Sequence, residues 1–267
     1  MNKVLVTGGA GFIGSNLVDV LINRGVDVLV IDNLSTGKIE NINARATFFK
    51  EDLSIIANDK LVSILNGVDV IFHLAALARV QPSIENPLPY NEANVTATLN
   101  ILYAASKSNV KRVVYSASSS CYGDSETVPQ CEEDPTNPLS PYGLQKYIGE
   151  QYCRLFSQVY DVDTVSLRYF NVYGERMSLE GAYCLVTGIF ARQMQKGEPL
   201  TITNDGNQRR DFTYVGDVVN ANILAATHSN SLNGEVFNIG NGKNVSINEV
   251  ADMFGGEKIY GEQRLEP

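Results

Sequence analysis

Two histidines and four cysteines are all the imidazole and thiol groups that this chain of 267 residues offers to a metal. None of Cys121, Cys131, Cys153 and Cys184 falls in a CxxC pair, and with His73 and His228 they make no zinc signature, so the cysteines read as reduced thiols. Long hydrophobic runs are missing, which excludes a membrane-spanning helix. Met1-Asn2-Lys3 leads into an apolar strand with no signal-peptide cleavage pattern behind it, and a soluble, cytoplasmic protein is expected. Positive charge is scarce as well: 21 Lys and Arg against 30 Asp and Glu leave a net charge of -9. A surface of that sign repels polyanions and argues against a nucleic-acid partner, although a few local cations, such as adjacent Arg209 and Arg210, can still capture a small anion. Repeats and low-complexity tracts are absent too. What remains is 44% hydrophobic and 19% charged, an ordinary globular balance.

Short β-branched runs alternate with helix-length segments through the first half. Val4 to Thr7, Val28 to Ile31, Ala46 to Phe49, Val68 to His73 and Arg112 to Ser116 read as strands, with a helix from Gly11 to Arg24 after the first. Strands this apolar belong to a parallel sheet covered on both faces, so the expected fold class is α/β, a Rossmann-type doubly wound sheet. Long helices are expected near Asn91–Lys107 and Tyr142–Tyr160, separated by a polar, acidic loop from Gly123 to Pro138, with a strand from Thr164 to Tyr169 following. Beyond Phe170 the pattern loosens into a smaller region, with helices near Val186–Lys196 and after Val215 and a strand at Glu235–Ile239. The expected division is a dinucleotide-binding domain over 1–170, to which 214–241 returns, and a substrate-binding region over 171–213 and 242–267.

Thr7-Gly8-Gly9-Ala10-Gly11-Phe12-Ile13-Gly14 lies between the first strand and the first helix, where a pyrophosphate-binding turn must sit. Gly9-x-Gly11-x-x-Gly14 supplies a tight turn, a bare backbone for close phosphate approach and close helix–sheet packing. Asp32 ends the second strand at the interval where a carboxylate accepts the adenosine ribose hydroxyls and repels a 2′-phosphate, which favours NAD. A plain turn residue is the other reading of Asp32, and Asn33 and Ser35 leave NADP open. Tyr142 and Lys146, four apart on one helix, share a face and can reach one ligand. A phenol is a poor base at neutral pH unless a neighbouring cation stabilises its anion, and Lys146 is such a cation. A surface-helix pair is the bland alternative. For His73 the bland reading, a strand-end histidine satisfied by local hydrogen bonds, is the preferred one.

Further blocks carry a resemblance. Glu51-Asp52-Leu53, Val70 to Ala76 (VIFHLAA), Asn94 to Thr98, Tyr142-x-x-x-Lys146, Arg168 to Gly174 (RYFNVYG), Gln208 to Asp217 and Phe237 to Gly240 stand in order behind the glycine turn. With them the chain resembles the extended short-chain dehydrogenase/reductase family, and within it the nucleotide-sugar epimerases and dehydratases. The resemblance implies a cofactor, NAD, held by Gly8, Gly11, Phe12, Ile13, Gly14, Asp32, Asn33, Asp52, Leu53, Leu74, Ala75, Ala76, Asn94, Ser116, Tyr142, Lys146, Tyr169 and Phe170. It implies Tyr142 as acid/base, Lys146 on the nicotinamide ribose, and Ser118, four before Tyr122, on the reacting sugar oxygen. Substrate contacts are implied for Ser118, Tyr142, Asn171, Arg210 and Arg264, with Arg210 ahead of Arg209. The dehydratases carry Asp and Glu where this chain has Ser119 and Ser120, and a hydroxyl does not readily replace a carboxylate in that proton transfer. The expected activity is therefore C4 epimerisation of a UDP-hexose through a transient 4-keto sugar, by a homodimer paired through the two long helices, with Leu99, Leu102 and Tyr103 on one face and Tyr147, Ile148 and Tyr152 on another. The alternatives are a UDP-uronate or UDP-N-acetylhexosamine epimerase or decarboxylase, or a non-catalytic NAD-binding regulator. The chain reads as truncated, stopping at Arg264-Leu-Glu-Pro267 before the family's terminal segment.

Overall fold

The structure, a computed structural model, describes residues 1–125, 127–179 and 184–261. Its first part runs β1 (Lys3–Thr7), α1 (Phe12–Asn23), β2 (Asp27–Asp32), β3 (Thr47–Lys50), α2 (Asn58–Ile64), β4 (Val70–His73), α3 (Val80–Glu85), α4 (Pro87–Asn91), α5 (Ala97–Ser106), β5 (Arg112–Ser118), α6 (Pro141–Val159) and β6 (Thr164–Tyr169). There follow β7 (Val172–Tyr173), α7 (Val186–Lys196), β8 (Leu200–Ile202), β9 (Arg209–Asp211), β10 (Thr213–Tyr214), α8 (Val215–Thr227), β11 (Glu235–Ile239), β12 (Asn244–Ser246), α9 (Ile247–Phe254) and β13 (Lys258–Tyr260). The helix expected over Asn91–Lys107 is interrupted: a π-helical turn, Glu92–Thr96, joins α4 to α5. Such turns often mark functional positions, and this one carries Asn94.

Seven parallel strands form one sheet in the order β11-β6-β5-β4-β1-β2-β3. Side chains alternate across it, so Val4, Val6, Val114 and Leu167 meet Leu17 and Leu21 of α1 and Val218 and Ile223 of α8 on one face. Leu5, Ile31, Ile71, Val113 and Tyr115 meet Leu61, Ile101, Leu102, Cys153 and Phe156 of α2, α5 and α6 on the other. Leu102, expected on an outward face, is thus fully buried within its own chain. The helix has two covered sides because it lies against the sheet and also touches α2 and α6. A third, smaller core of Phe190, Leu200, Ile202, Ile247 and Val250 lies under α7 and α9, with two-stranded pairings β8–β13, β9–β12 and β7–β10 beside it. The strand order reverses between β1 and β4, so a crevice opens there at the carboxyl ends of the strands, where α/β sheets bind ligands. Among the described residues no helix is long and apolar enough to cross a membrane.

Candidate active site

The glycine turn sits at the head of this crevice and is shaped by what it cannot hold. A Cβ added to Gly14 would lie 2.2 Å from the carbonyl oxygen of Gly8, one added to Gly9 would lie 2.7 Å from Val30 Cγ1, and Gly8, at φ +70°, would push one to 2.7 Å from the Ala75 nitrogen. The N-cap of α1 is Gly11, with no side-chain cap and no acidic residue in the first turn. The leading N–H groups, at Phe12 and Ile13, are therefore left for an anion, and the positive end of the helix dipole points at it. A dinucleotide pyrophosphate fits this cradle.

Thr7 stitches the two sides of the crevice together. Its hydroxyl accepts from the backbone N–H groups of Leu74 at 3.2 Å and Ala75 at 3.1 Å, placing the Leu74, Ala75 and Ala76 segment against the turn. Thr7 Oγ1 also lies 2.8 Å from His73 Nδ1, and Thr98 Oγ1 lies 3.0 Å from His73 Nε2. Because Thr98 donates to the carbonyl of Asn94, it must accept from Nε2–H, and Thr7 must donate to Nδ1. Both ring nitrogens are satisfied in the neutral form, and burial holds the imidazole at a pKa of about 3. His73 is a structural residue, as its position suggested.

Asp32 accepts from Ala10 N at 3.0 Å and Leu34 N at 2.8 Å. Asn33 and Asp52 meet at 3.0 Å, and hydrogen bonds from Ser54 and Asn33 outweigh partial burial to hold the Asp52 carboxyl below its ordinary value. The Leu53 carbonyl accepts from Asn100 at 2.8 Å. Asn94 Oδ1 accepts from the Leu77 N–H at 2.8 Å, and Asn94 Nδ2 donates to the Leu77 carbonyl at 2.9 Å and to Gln145 of α6 at 3.0 Å. Its amide therefore ties the loop after β4 to the helix that carries Tyr142. Tyr169 and Ser116 stand apart: the Tyr169 hydroxyl is bound to Asn222 of α8 at 2.8 Å and to Ser116, inside the core.

The helix α6 starts where its sequence says it should, with Ser140 as N-cap accepting from Gly143 N at 3.1 Å and Pro141 in the first turn. Tyr142 is thereby set on the first turn, its N–H donating to the Ser83 hydroxyl at 3.1 Å. The Tyr142 phenol bonds with Ser118 from the end of β5, and Ser118 in turn donates to Ser120 at 3.1 Å. One turn on, Lys146 is 2% exposed and its Nζ lies 4.6 Å from the Tyr115 ring centroid. Burial raises the Tyr142 pKa, opposed by Ser118 and by the charge of Arg79. Burial lowers Lys146 to about 7, opposed by Cys153 and Glu150. Glu150 itself is locked to Arg168 by two bonds, 2.9 and 2.7 Å, and Arg168 reaches the Tyr122 hydroxyl at 2.6 Å, which fixes α6 to β6.

Arg79 is the residue that sequence reasoning missed. It follows the VIFHLAA block, sits at φ 98° and ψ 139°, a region that side chains rarely adopt, and brings its charge to Tyr142. No spacing signals this, since the signal is the backbone angle.

On the substrate side, Phe170 packs at 6.4 Å from Tyr122. Asn171, at φ 25°, donates to the carbonyl of Asp211 at 2.9 Å. Asp211 holds the end of β11, accepting from Asn241 N at 2.9 Å and Gly242 N at 2.8 Å. Arg210 donates to the Arg209 carbonyl at 2.9 Å, while Arg209 bonds Asn244 and pairs with Glu249 at 3.1 Å. Arg264 lies outside the described residues.

Comparison with known proteins places this geometry. The chain spans 98% of its length, and 86% of theirs, against two solved structures of TM-score 0.92: a UDP-glucose 4-epimerase with UDP-glucose from Thermotoga maritima, 38% identical, and a UDP-N-acetylglucosamine 4-epimerase from Methanobrevibacter ruminantium in complex with UDP-N-acetylmuramic acid, 40% identical. A Thermus thermophilus UDP-glucose 4-epimerase in complex with NAD is 36% identical at TM-score 0.87, over 98% of this chain and 87% of that one. The model of the NAD dependent epimerase/dehydratase family matches residues 4–240, and the chain belongs to that family.

Proposed function

We propose that the protein is an NAD-dependent 4-epimerase of a UDP-hexose. The observation that carries this reading is the hydrogen bond between Tyr142 and Ser118 at the carboxyl end of β5, with Lys146 buried one turn further along α6, the uncapped N-terminus of α1 at the same edge of the sheet, and serines and not carboxylates at 119 and 120. NAD held by the glycine turn, Asp32 and the Leu74 to Ala76 segment would supply the reversible hydride chemistry at the sugar C4. The side chains manage the proton. Tyr142 Oη takes it from the sugar 4-hydroxyl and gives it back, while Ser118 Oγ holds the sugar oxygen in line. Lys146 Nζ offsets the phenolate charge and meets the nicotinamide ribose. Holding the nucleotide in place while the sugar turns makes the return transfer efficient.

The sheet, residues 1–170 with 214–241, would hold the cofactor through the glycine turn, Asp32, Asn33, Asp52 and the Leu74 to Ala76 segment. Residues 171–213 and those from 242 on, with Asn171 and Arg210, would hold the nucleotide sugar; a guanidinium suits its diphosphate. The reading includes a cytoplasmic enzyme with no nucleic-acid partner, paired as a homodimer through α5 and α6. In place of Leu102, the exposed Tyr103, Leu144, Leu155 and Val159 are the apolar groups those helices offer. Incubation with a panel of UDP-sugars, followed by chromatographic separation of epimers, tests the activity. Interconversion of C4 epimers is expected, and accumulation of a 4-keto-6-deoxy sugar would overturn the reading.

A further inference from the structure

Burying an ammonium strips its water, and something must replace it. The contact that Lys146 Nζ makes is with the face of Tyr115, 4.6 Å from the ring centroid, and that ring is 1% exposed. The ring is held on several sides. Its hydroxyl donates to the Lys146 carbonyl at 3.3 Å. It stacks on His73, centroids 5.9 Å apart and planes 27° from parallel, and His73 is pinned by Thr7 and Thr98. Its rim occupies the space in front of Gly149, where a Cβ would fall 2.2 Å from the phenol oxygen and 2.5 Å from Cζ. A helix interior disfavours glycine relative to alanine, and α6 has one in the turn after Lys146, where a methyl would strike Tyr115.

We propose that Tyr115 is a positioning residue: the face of its ring holds the Lys146 ammonium charged at the catalytic edge, and Gly149 leaves the room the ring needs. An aromatic face attracts a cation through its quadrupole, most strongly when both are removed from water. The titratable groups that act on or feel Lys146 are Cys153 and Glu150 on α6 and His73 on β4; Tyr142, which Arg79 faces, stands one turn before it on the same helix. His73 is neutral, and Cys153 and Glu150, the latter while paired with Arg168 of β6, favour the charged amine but do not outweigh its burial. With a saturated side chain at 115 the amine would give up its proton more readily and offer Tyr142 less positive charge at neutral pH.

The catalytic use of Lys146 rests on the reading above, but the titration of its amine does not, so the two can fail separately. Tyr115 would be replaced by phenylalanine and by phenylalanines bearing one, two or three ring fluorines, which keep the shape and drain the face. The Lys146 midpoint would be read from its ε-carbon resonance in lysine-labelled protein, assigned with Lys146→Met. Tyr115→Phe is expected to titrate close to the parent, and the trifluoro ring to lower the midpoint by about one unit, tenfold in the protonation equilibrium, with the others graded between. A midpoint that ignores fluorination, or that moves fully on loss of the hydroxyl alone, would overturn the proposal.

Discussion

The glycine turn and the segment around β9 both face the carboxyl edge of the sheet, yet they are held in opposite ways. The turn is held by sterics and backbone: Gly11 N bonds the Gly8 carbonyl at 3.1 Å, Gly8 N bonds the Ile31 carbonyl at 2.8 Å, and no Cβ fits at Gly14. The β9 segment is held by side chains from far along the chain, with Asp211 gathering Asn241 and Gly242 and receiving Asn171. A site written in backbone leaves a spacing that can be read. A site written in side-chain bonds between distant segments leaves single residues that look like any others.

The contrast can be broken in order of expected effect. Between the two regions stands Tyr142, and Tyr142→Phe removes only the group that moves the proton. Turnover should fall by about a hundred- to ten-thousandfold while NAD binding by calorimetry and the thermal midpoint stay near the parent. Retention of turnover within a few-fold would sink the acid/base assignment. Gly14→Ala forces a methyl against the Gly8 carbonyl oxygen, and overpacking of this kind costs about 1–3 kcal/mol. Denaturant unfolding should show that loss together with weakened NAD binding; unchanged NAD affinity would mean that the turn is not the phosphate site.

His73 tests the seam between them through pH. Its folded pKa of about 3 lies below the ordinary 6.5, so the unfolded chain binds the extra proton between those values. Stability from this group is complete above 6.5 and is lost as pH falls toward 3, by at most about 1.4 kcal/mol per pH unit. The unfolding free energy of His73→Asn should therefore fall less steeply across that window than the parent's; equal slopes would show that the imidazole does not stay neutral. Smallest should be Asp211→Asn, which weakens two bonds to backbone N–H groups by about 1 kcal/mol. It should raise the KM for the UDP-sugar several-fold and leave NAD affinity alone, and a reversed pattern would place β9 on the cofactor side.

Much of the molecule was legible because parallel strands and glycine turns are local patterns. The strands that become β1 to β6 and β11, the turn at Gly8 to Gly14 and the placing of Tyr142 and Lys146 one turn apart on a single helix all follow from spacing. Leu102 was misread because α5 is covered on more than one side, so its apolar stripe is wider than one face. Tyr169 shows a related difficulty: β6 is buried at every position although Thr164, Ser166 and Arg168 are polar, so alternation does not say which layer a side chain enters. Arg79 and Asp211 were out of reach for another reason, since the one depends on a backbone angle and the other on bonds to residues thirty positions away.

The pairing of β11 with β6 has a consequence for how the chain is born. Residues 170–234 separate the two strands, so Thr164 to Tyr169 emerges from the ribosome with one edge unmatched and keeps it until Ile239 has been added. During that interval α7, β9 and α8 must form beside an open row of N–H and carbonyl groups, the kind of edge on which another chain can pair. The buried Arg168 and Glu150 pair β6 with α6, so the strand that waits for its second neighbour is tied to the catalytic helix by the same residues that hold that helix in the finished fold.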